Sequence, residues 1–199
     1  TTPQTFLGWR EEQQAFEHLA AVWRASLWTR DAAGHPEQVR AIRVTAEFFA
    51  VLRAAPLVGR TFTRDEESEG RHRVAILSHG FWQRAFGGDP GIVPRTVTFD
   101  DEAWEVVGVM PRGFEYPVAS EHPTDVYIPP AFRDEDRVRA DNRNFNPLVI
   151  GRLKPGVSIS QAQDRMSAVV ASLDARYPGW APGMRAEVVR LLAHLVGSV

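Results

Sequence analysis

The stretch that decides the fold is residues 74–90, VAILSHGFWQRAFGGDP, in which a predicted strand runs directly into a predicted helix. Val74-Ala75-Ile76-Leu77 is a continuous apolar run, as expected for a strand buried on both faces. Ser78 follows at once and is placed to cap a helix with the apolar residues Phe81, Trp82, Ala85 and Phe86. Gly87-Gly88 can end that helix in a left-handed conformation, and Asp89-Pro90-Gly91 turns the chain.

Downstream of this segment, alternating β-branched and aromatic residues predict a β-hairpin. Its strands are Thr96-Val97-Thr98-Phe99 and Trp104–Val109, with Asp100, Asp101 and Glu102 as the turn. A short strand is predicted at 126–128. The charged residues from Asp134 to Asn144 indicate a mobile connection.

Upstream, apolar spacing predicts a helix over 6–23. Two short strands, 22–29 and 39–45, read as a hairpin because Gly34 and Pro36 stand among the turn residues between them. Thr45 is placed to cap a short helix that carries Phe48, Phe49 and Leu52.

The C-terminal part again combines predicted strands with a predicted helix. A strand is predicted at 148–153, followed by Lys154-Pro155-Gly156, which suits a type II turn. A helix from Ser158 to Tyr177 has one continuous apolar face and opens with a Ser-x-x-Gln capping box. A last strand is predicted at about Met184 to Leu192.

These elements together predict an α+β fold. We expect a mixed sheet with helices packed on one face, assembled from residues 1-60 and 141-199. Residues 61-140 are expected to form an inserted, β-rich subdomain with one helix.

Composition narrows the function classes. The chain has 199 residues, of which 44% are apolar and 24% charged, with a formal net charge of −2. This is ordinary globular composition without the basic excess of a nucleic-acid-binding protein. The absence of cysteine excludes thiol nucleophiles, thiolate metal sites and disulfides. No stretch approaches the ~20 consecutive apolar residues that cross a bilayer.

Few residues suggest catalysis. Ser78-His79-Gly80 lies at a strand-to-helix turn but lacks the G-x-S-x-G elbow of hydrolases, and a helix cap explains Ser78 equally well. The six histidines, at 18, 35, 72, 79, 122 and 194, include no pair with the spacing of metal ligands on one helix face. His72 and His79 flank the predicted buried strand at opposite ends.

Acidic and aromatic clusters are the remaining candidates. Asp65, Glu66, Glu67 and Glu69 lack the spaced pattern of a calcium loop and favour a solvated loop. Trp9, Trp23 and Trp28 lie near one another in sequence and suit either a ligand platform or core packing. Gly-rich phosphate motifs are absent. We therefore expect no catalytic residue, no cofactor and no metal site.

Several segments taken together resemble one family. They begin with Val44–Leu52 and Pro56–Thr63, continue through the decisive 74–90 stretch, and include Val106–Pro111 and Arg152–Val157 with Gln161-Ala162. In this order they resemble the MacB-like periplasmic core domain of FtsX/MacB-type ABC transporter permeases. The duplicated orphan permease branch is the most similar in character.

The resemblance implies an extracytoplasmic, periplasmic domain that is tethered to the bacterial cell membrane by transmembrane helices outside these 199 residues. It implies a porter-like α+β subdomain with a β-rich insertion, and no enzymatic activity. The implied partners are a second permease copy, a cytoplasmic ATPase subunit and a periplasmic adaptor or substrate, but no nucleic acid. Such a domain transmits ATP-driven movement, and its binding surfaces are expected in the loops 64–71 and 133–144.

Two alternatives stay open from the sequence. A stand-alone extracytoplasmic ligand-binding domain would use a tryptophan-lined cleft between subdomains. A soluble hydrolase would use Ser78, His79 or a pair of acidic residues.

Overall fold

The computed structural model describes residues 2–31, 33–116, 123–137, 147–177 and 185–191. Its α-helices are α1 (Pro3–Glu12), α2 (Phe48–Leu52), α3 (His79–Phe86) and α4 (Ile159–Arg176). Its strands are β1 (Phe16–Arg30), β2 (Pro36–Val44), β3 (Val58–Gly59), β4 (Val74–Leu77), β5 (Arg95–Phe99), β6 (Glu102–Val109), β7 (Val126–Ile128) and β8 (Leu148–Leu153). Short 3-10 turns span Arg64–Glu67, Pro90–Ile92 and Asp134–Arg137.

The eight strands form a mixed sheet in the order β3-β6-β4-β7-β2-β1-β8, with β5 paired to β6. The β2–β7 and β4–β6 pairs are parallel, whereas the β1–β2, β4–β7, β3–β6 and β5–β6 pairs are antiparallel. The predicted α+β class with a mixed sheet is confirmed.

The decisive segment folds as its sequence predicts. All four residues of β4 are buried, because the strand lies between β6 and β7 and is covered on both faces. The Phe81 N–H donates to Ser78 Oγ at 3.2 Å, so Ser78 caps α3. Gly87 ends the helix with a φ of 62°, in the left-handed region that glycine adopts at low cost.

The β5–β6 hairpin is also confirmed, with a tighter turn than expected. Asp100 and Asp101 have φ angles of 51° and 58°, and Glu102 is already the first residue of β6. Positive φ at both central residues is the geometry of a type I′ turn, whose twist matches that of the flanking strands.

The helix predicted over 6–23 is wrong beyond Glu12. The side-chain oxygen of Gln13 accepts the Phe16 N–H at 2.7 Å, just past the end of α1, and the chain then becomes extended as β1. The buried run from Leu19 to Val22 is a strand segment covered on both faces, which helical periodicity does not distinguish from a helix. The predicted β1–β2 hairpin is confirmed, from Val22 paired with Val44 to Arg30 paired with Pro36.

The short helix α2 is present, but the predicted cap is wrong. Its N-cap residue is Glu47, without a capping side-chain hydrogen bond. Thr45 contributes its carbonyl oxygen, which accepts the Phe48 N–H at 2.9 Å. The helix ends at Arg53, whose φ is 53°.

The C-terminal elements match the prediction up to α4. Val157 N–H donates to Lys154 O at 3.1 Å around Gly156, whose φ is +78°. Ser158 and Gln161 form the predicted capping box. The final strand is wrong within the described residues 185–191, which hold no strand, while Met184 and Leu192 lie outside the described part. Residues 134–137 of the predicted connection form a 3-10 turn, and residues 138–144 lie outside the described part.

The chain divides into two compact units, residues 1–21 with 132–199 and residues 22–131. In the second unit, the buried core on one side of the sheet includes Leu27, Val39, Leu77, Phe81 and Trp104. On the opposite side, an aromatic cluster surrounds the buried ring of Tyr127: Phe48, Phe49 and Phe114. The expected subdomain boundaries, 1-60 with 141-199 and 61-140, stay a prediction.

None of the helices in the described ranges combines the length and the apolar character needed to span a membrane.

Candidate functional site

Ser78 and His79 are each engaged in holding the structure. Ser78 is 8% exposed, and its hydroxyl oxygen is the cap acceptor of α3. The ring of His79 packs edge-on against Trp82, with 5.5 Å between ring centroids. The structure shows no hydrogen bond between Ser78 and His79 in the described part, so it does not assemble a nucleophile with its base.

His72 lies at the other end of β4 from His79. Its ring contacts Trp104 edge-on at 5.8 Å between centroids. Burial, helped by the nearby positive charges of Arg43 and Arg73, lowers the pKa of His72 below its usual value. The two histidines pack against different tryptophans and share no site.

The acidic run 65–69 forms part of a structured turn. Burial alone would raise the pKa of Glu66, but hydrogen bonds from Arg60 and from the Thr63 N–H hold it below its usual value. Glu67 is 3% exposed and accepts the Ala46 N–H at 2.8 Å. No group of three or more metal-ligating side chains is gathered in the ranges that the structure describes.

The tryptophan platform, one of the two alternatives for Trp9, Trp23 and Trp28, is not assembled on β1. Trp23 and Trp28 are five residues apart on this strand, so they project from opposite faces. Trp28 is 52% exposed, whereas Trp9 is 7% exposed within α1.

A tertiary contact that the sequence did not reveal joins the β5–β6 turn to β1. The Trp28 N–H donates to Asp100 Oδ1 at 2.8 Å, and the Asp100 N–H donates to the Trp28 carbonyl oxygen at 2.8 Å. Thr29 adds a bond from its hydroxyl to the Thr98 carbonyl oxygen. Asp100 therefore satisfies both backbone polar groups of Trp28, as a residue of a neighbouring strand would.

A groove lies within each of the two compact units. In the unit made of 1–21 and 132–199, an apolar groove of about 380 Å³ is lined by residues that include Trp9, Phe16, Leu19 and Met166. The segment 185–191 lines it too, and Gln163 holds this segment: its Nε2 donates to Ala186 O, and its Oε1 accepts the Val188 N–H, both at 2.8 Å.

The groove of the other unit, residues 22–131, is wider and more polar. Its volume is about 880 Å³, and it lies beside the ends of both hairpins and α3. Arg84 in its wall forms ion pairs with Glu37 at 3.3 Å and with the buried Asp125 at 3.2 Å. These two carboxylates compensate the charge of Arg84.

One exposed surface was missed by the sequence reasoning. Beyond Trp23, the exposed positions of β1 alternate as Arg24, Ser26, Trp28 and Arg30. Period-two alternation within the predicted strand 22–29 is the signal that indicates a strand with one exposed face.

The solved structures that resemble this chain share its fold. One is the extracellular domain of the noncanonical ABC-type transporter YknZ from Gram-positive bacteria, 16% identical, with a TM-score of 0.58 over 94% of this chain and 87% of that one. Another is the periplasmic region of MacB from Actinobacillus actinomycetemcomitans, 14% identical, with a TM-score of 0.57 over 88% of this chain and 74% of that one.

A domain of a putative permease from Porphyromonas gingivalis is 15% identical, with a TM-score of 0.62 over 98% of this chain and 88% of that one. No curated protein matches the chain by sequence. The sequence model of the MacB-like periplasmic core domain matches residues 3–169, most of the chain. The chain therefore belongs to the MacB-like periplasmic core domain family, the extracytoplasmic part of ABC transporter permeases.

Proposed function

We propose that this domain transmits movement driven by ATP hydrolysis to a partner or substrate outside the membrane, without catalysing a reaction itself. The observation that carries the proposal is the family match over residues 3–169. The partners are a second permease copy, a cytoplasmic ATPase and a periplasmic adaptor or substrate, and transmembrane helices tether the domain.

The engagement of the candidate catalytic residues supports this proposal. Ser78 caps a helix, His79 packs on Trp82, and Glu67 holds the backbone of Ala46. Chemistry needs groups that are free to exchange protons or attack a substrate. A domain that transmits force needs side chains fixed in place, which is what these residues provide.

The absence of cysteine makes a direct test practicable. A cysteine that replaces the exposed Thr96 on β5 is the one label site within these 199 residues, and any cysteine elsewhere in the full-length permease is first replaced by serine. In the full-length permease with its ATPase, the distance between the labels of two permease copies should change when ATP is added. The change should disappear with an ATPase that cannot hydrolyse ATP, and an unchanged distance in both cases would overturn the proposal.

The apolar groove favours a second candidate function, binding of a small apolar ligand. Its volume of about 380 Å³ lies within the range of small-molecule sites. A ligand that binds only the folded chain raises its melting temperature by mass action. A thermal-shift screen with apolar compounds, repeated on Met166→Glu, should show a shift that the variant loses if this candidate is right.

A further inference from the structure

We propose that the exposed face at the distal end of the β1–β2 hairpin is a docking surface for an acidic segment of a protein partner. This surface, here called the basic face, consists of Arg24, Ser26, Trp28 and Arg30 on β1 with Pro36, Gln38 and Arg40 on β2. The inference rests on the proposed function, to which it adds the chemistry and position of a partner site.

The register of the hairpin places these side chains together. Ser26 pairs with Arg40, Trp28 with Gln38, and Arg30 with Pro36. Since side chains alternate along a strand, all seven project from the same side of the hairpin. The residues between them, such as Leu27 and Val39, project from the other side into the core.

The basic face carries three cations and no acidic residue at its seven positions. The guanidinium groups of Arg24 and Arg40 have no hydrogen bond or ion pair within the described ranges, while Arg30 donates to the Gly34 carbonyl oxygen. The nearby carboxylates are engaged: Asp125 faces Arg84, Asp100 accepts from Trp28 N, and Asp31 accepts from its own turn. Backbone N–H donors leave Asp31 and Asp100 charged, so the uncompensated positive charge of the surface is that of Arg24 and Arg40.

Trp28 gives the basic face its apolar centre. The side chain is 52% exposed, and its backbone is fixed on both polar atoms by Asp100. A rigidly held tryptophan flanked by arginines has the composition of an interface hot spot, because tryptophan and arginine dominate such sites. Positive charge around it selects an acidic partner and accelerates its approach.

Two other occupants fit less well. An interfacial membrane contact buries several large apolar side chains, whereas this face offers Trp28 alone. A second copy would bring the acidic run of 65–69, but Asp65 is paired with Arg71 and Glu66 with Arg60, so docking would break existing pairs.

The test uses two labelled 20-residue peptides, poly-L-glutamate and a repeat of Glu-Glu-Glu-Leu, and measures fluorescence anisotropy at low and physiological salt. The purified chain should bind both, more weakly as salt rises. Changing Arg24→Glu together with Arg40→Glu should weaken binding at least tenfold. The matched control changes Arg53→Glu with Arg112→Glu, two exposed arginines elsewhere, and should leave binding within twofold.

The tryptophan is tested separately. Trp28→Ala should weaken the leucine-containing peptide severalfold more than poly-L-glutamate, with an unchanged circular dichroism spectrum. The proposal would be overturned if the Arg24/Arg40 and Arg53/Arg112 double variants lost peptide affinity equally, or if the unchanged chain bound neither peptide. If the chain sedimented with phosphatidylglycerol vesicles and only the Arg24/Arg40 variant lost this binding, the partner would be a membrane. If the chain self-associated in the ultracentrifuge and only that variant lost self-association, the partner would be a second copy. Either result would overturn the acidic partner. None of these failures changes the ATP-dependent label distance, which tests the proposed function independently.

Discussion

Leu27 and Trp28 are neighbours on β1, and they lie on opposite faces of the hairpin that differ in solvent exposure. Leu27 is 3% exposed in a core shared with Val39 and Phe81, whereas Trp28 lies on the basic face in contact with solvent. The backbone and the register are common to both. Side-chain alternation thus lets one hairpin provide stability with one face and present a binding surface with the other.

The largest effect should come from the core face. Leu27→Ala removes a buried side chain and leaves a cavity, which should lower the free energy of unfolding by about 2–4 kcal/mol. Urea unfolding measures this loss. If the loss were below that of an exposed substitution, the assignment of Leu27 to the core would be wrong.

A smaller difference in the free energy of unfolding is expected between alanine variants of the two residues of the β5–β6 turn. Asp100→Ala and Asp101→Ala place alanine at similar positive φ angles, so their backbone strain should nearly cancel in the comparison. Only Asp100 accepts a hydrogen bond from Trp28, so its variant should be less stable by a further ~1 kcal/mol. Equal stabilities would show that this bond contributes nothing to holding β1.

The helix cap at Ser78 predicts a comparable or smaller loss. Ser78→Ala should lower the free energy of unfolding by about 1 kcal/mol, whereas Ser78→Gly should cost only a few tenths. The comparison of the two variants by urea unfolding distinguishes a cap from a packing role. A larger loss in the glycine variant would contradict the cap.

A pH dependence should arise from Glu66. Because the pKa of Glu66 is lowered in the folded state, its contribution is fully present above the ordinary glutamate pKa of about 4.3 and is lost as pH falls through the lower, folded value. The melting temperature should therefore fall less between pH 5 and pH 3 in Glu66→Gln than in the unchanged chain. Parallel curves would show that the Arg60 contact does not matter.

The smallest stability effect should be on the basic face. Trp28→Ala should change the free energy of unfolding by about 0.5 kcal/mol, far less than Leu27→Ala, because Trp28 is 52% exposed and lies outside the core. Together with the loss expected for Leu27→Ala, this result would separate the two faces by experiment. A loss near that of Leu27→Ala would show that Trp28 belongs to the core.

Features set by near neighbours could be predicted from the sequence. The Ser78 cap, the left-handed Gly87, the Ser158–Gln161 box and the Asp100-Asp101 turn each involve residues within four positions of one another. Local rules for capping and turns predict these four features correctly, although the same rules place the cap of α2 at Thr45 instead of Glu47.

Features that depend on residues far apart in the sequence could not be predicted from the sequence. Residues 16–23 have apolar spacing compatible with a helix, but pairing in the sheet makes them a strand. The contact between Asp100 and Trp28 joins residues 72 positions apart. The basic face became recognisable only once the register of β1 and β2 was known, because its seven residues come from two separate strands.

The grip of Gln163 on the segment 185–191 has a mechanical consequence. A pull on the chain beyond residue 191 reaches the backbone of Ala186 and Val188, and the two amide hydrogen bonds pass that load to the side of α4. Both bonds depend on the side chain of Gln163, so a substitution of this one residue would remove both. Tension that reaches Val188 from this end would load both bonds of Gln163 together.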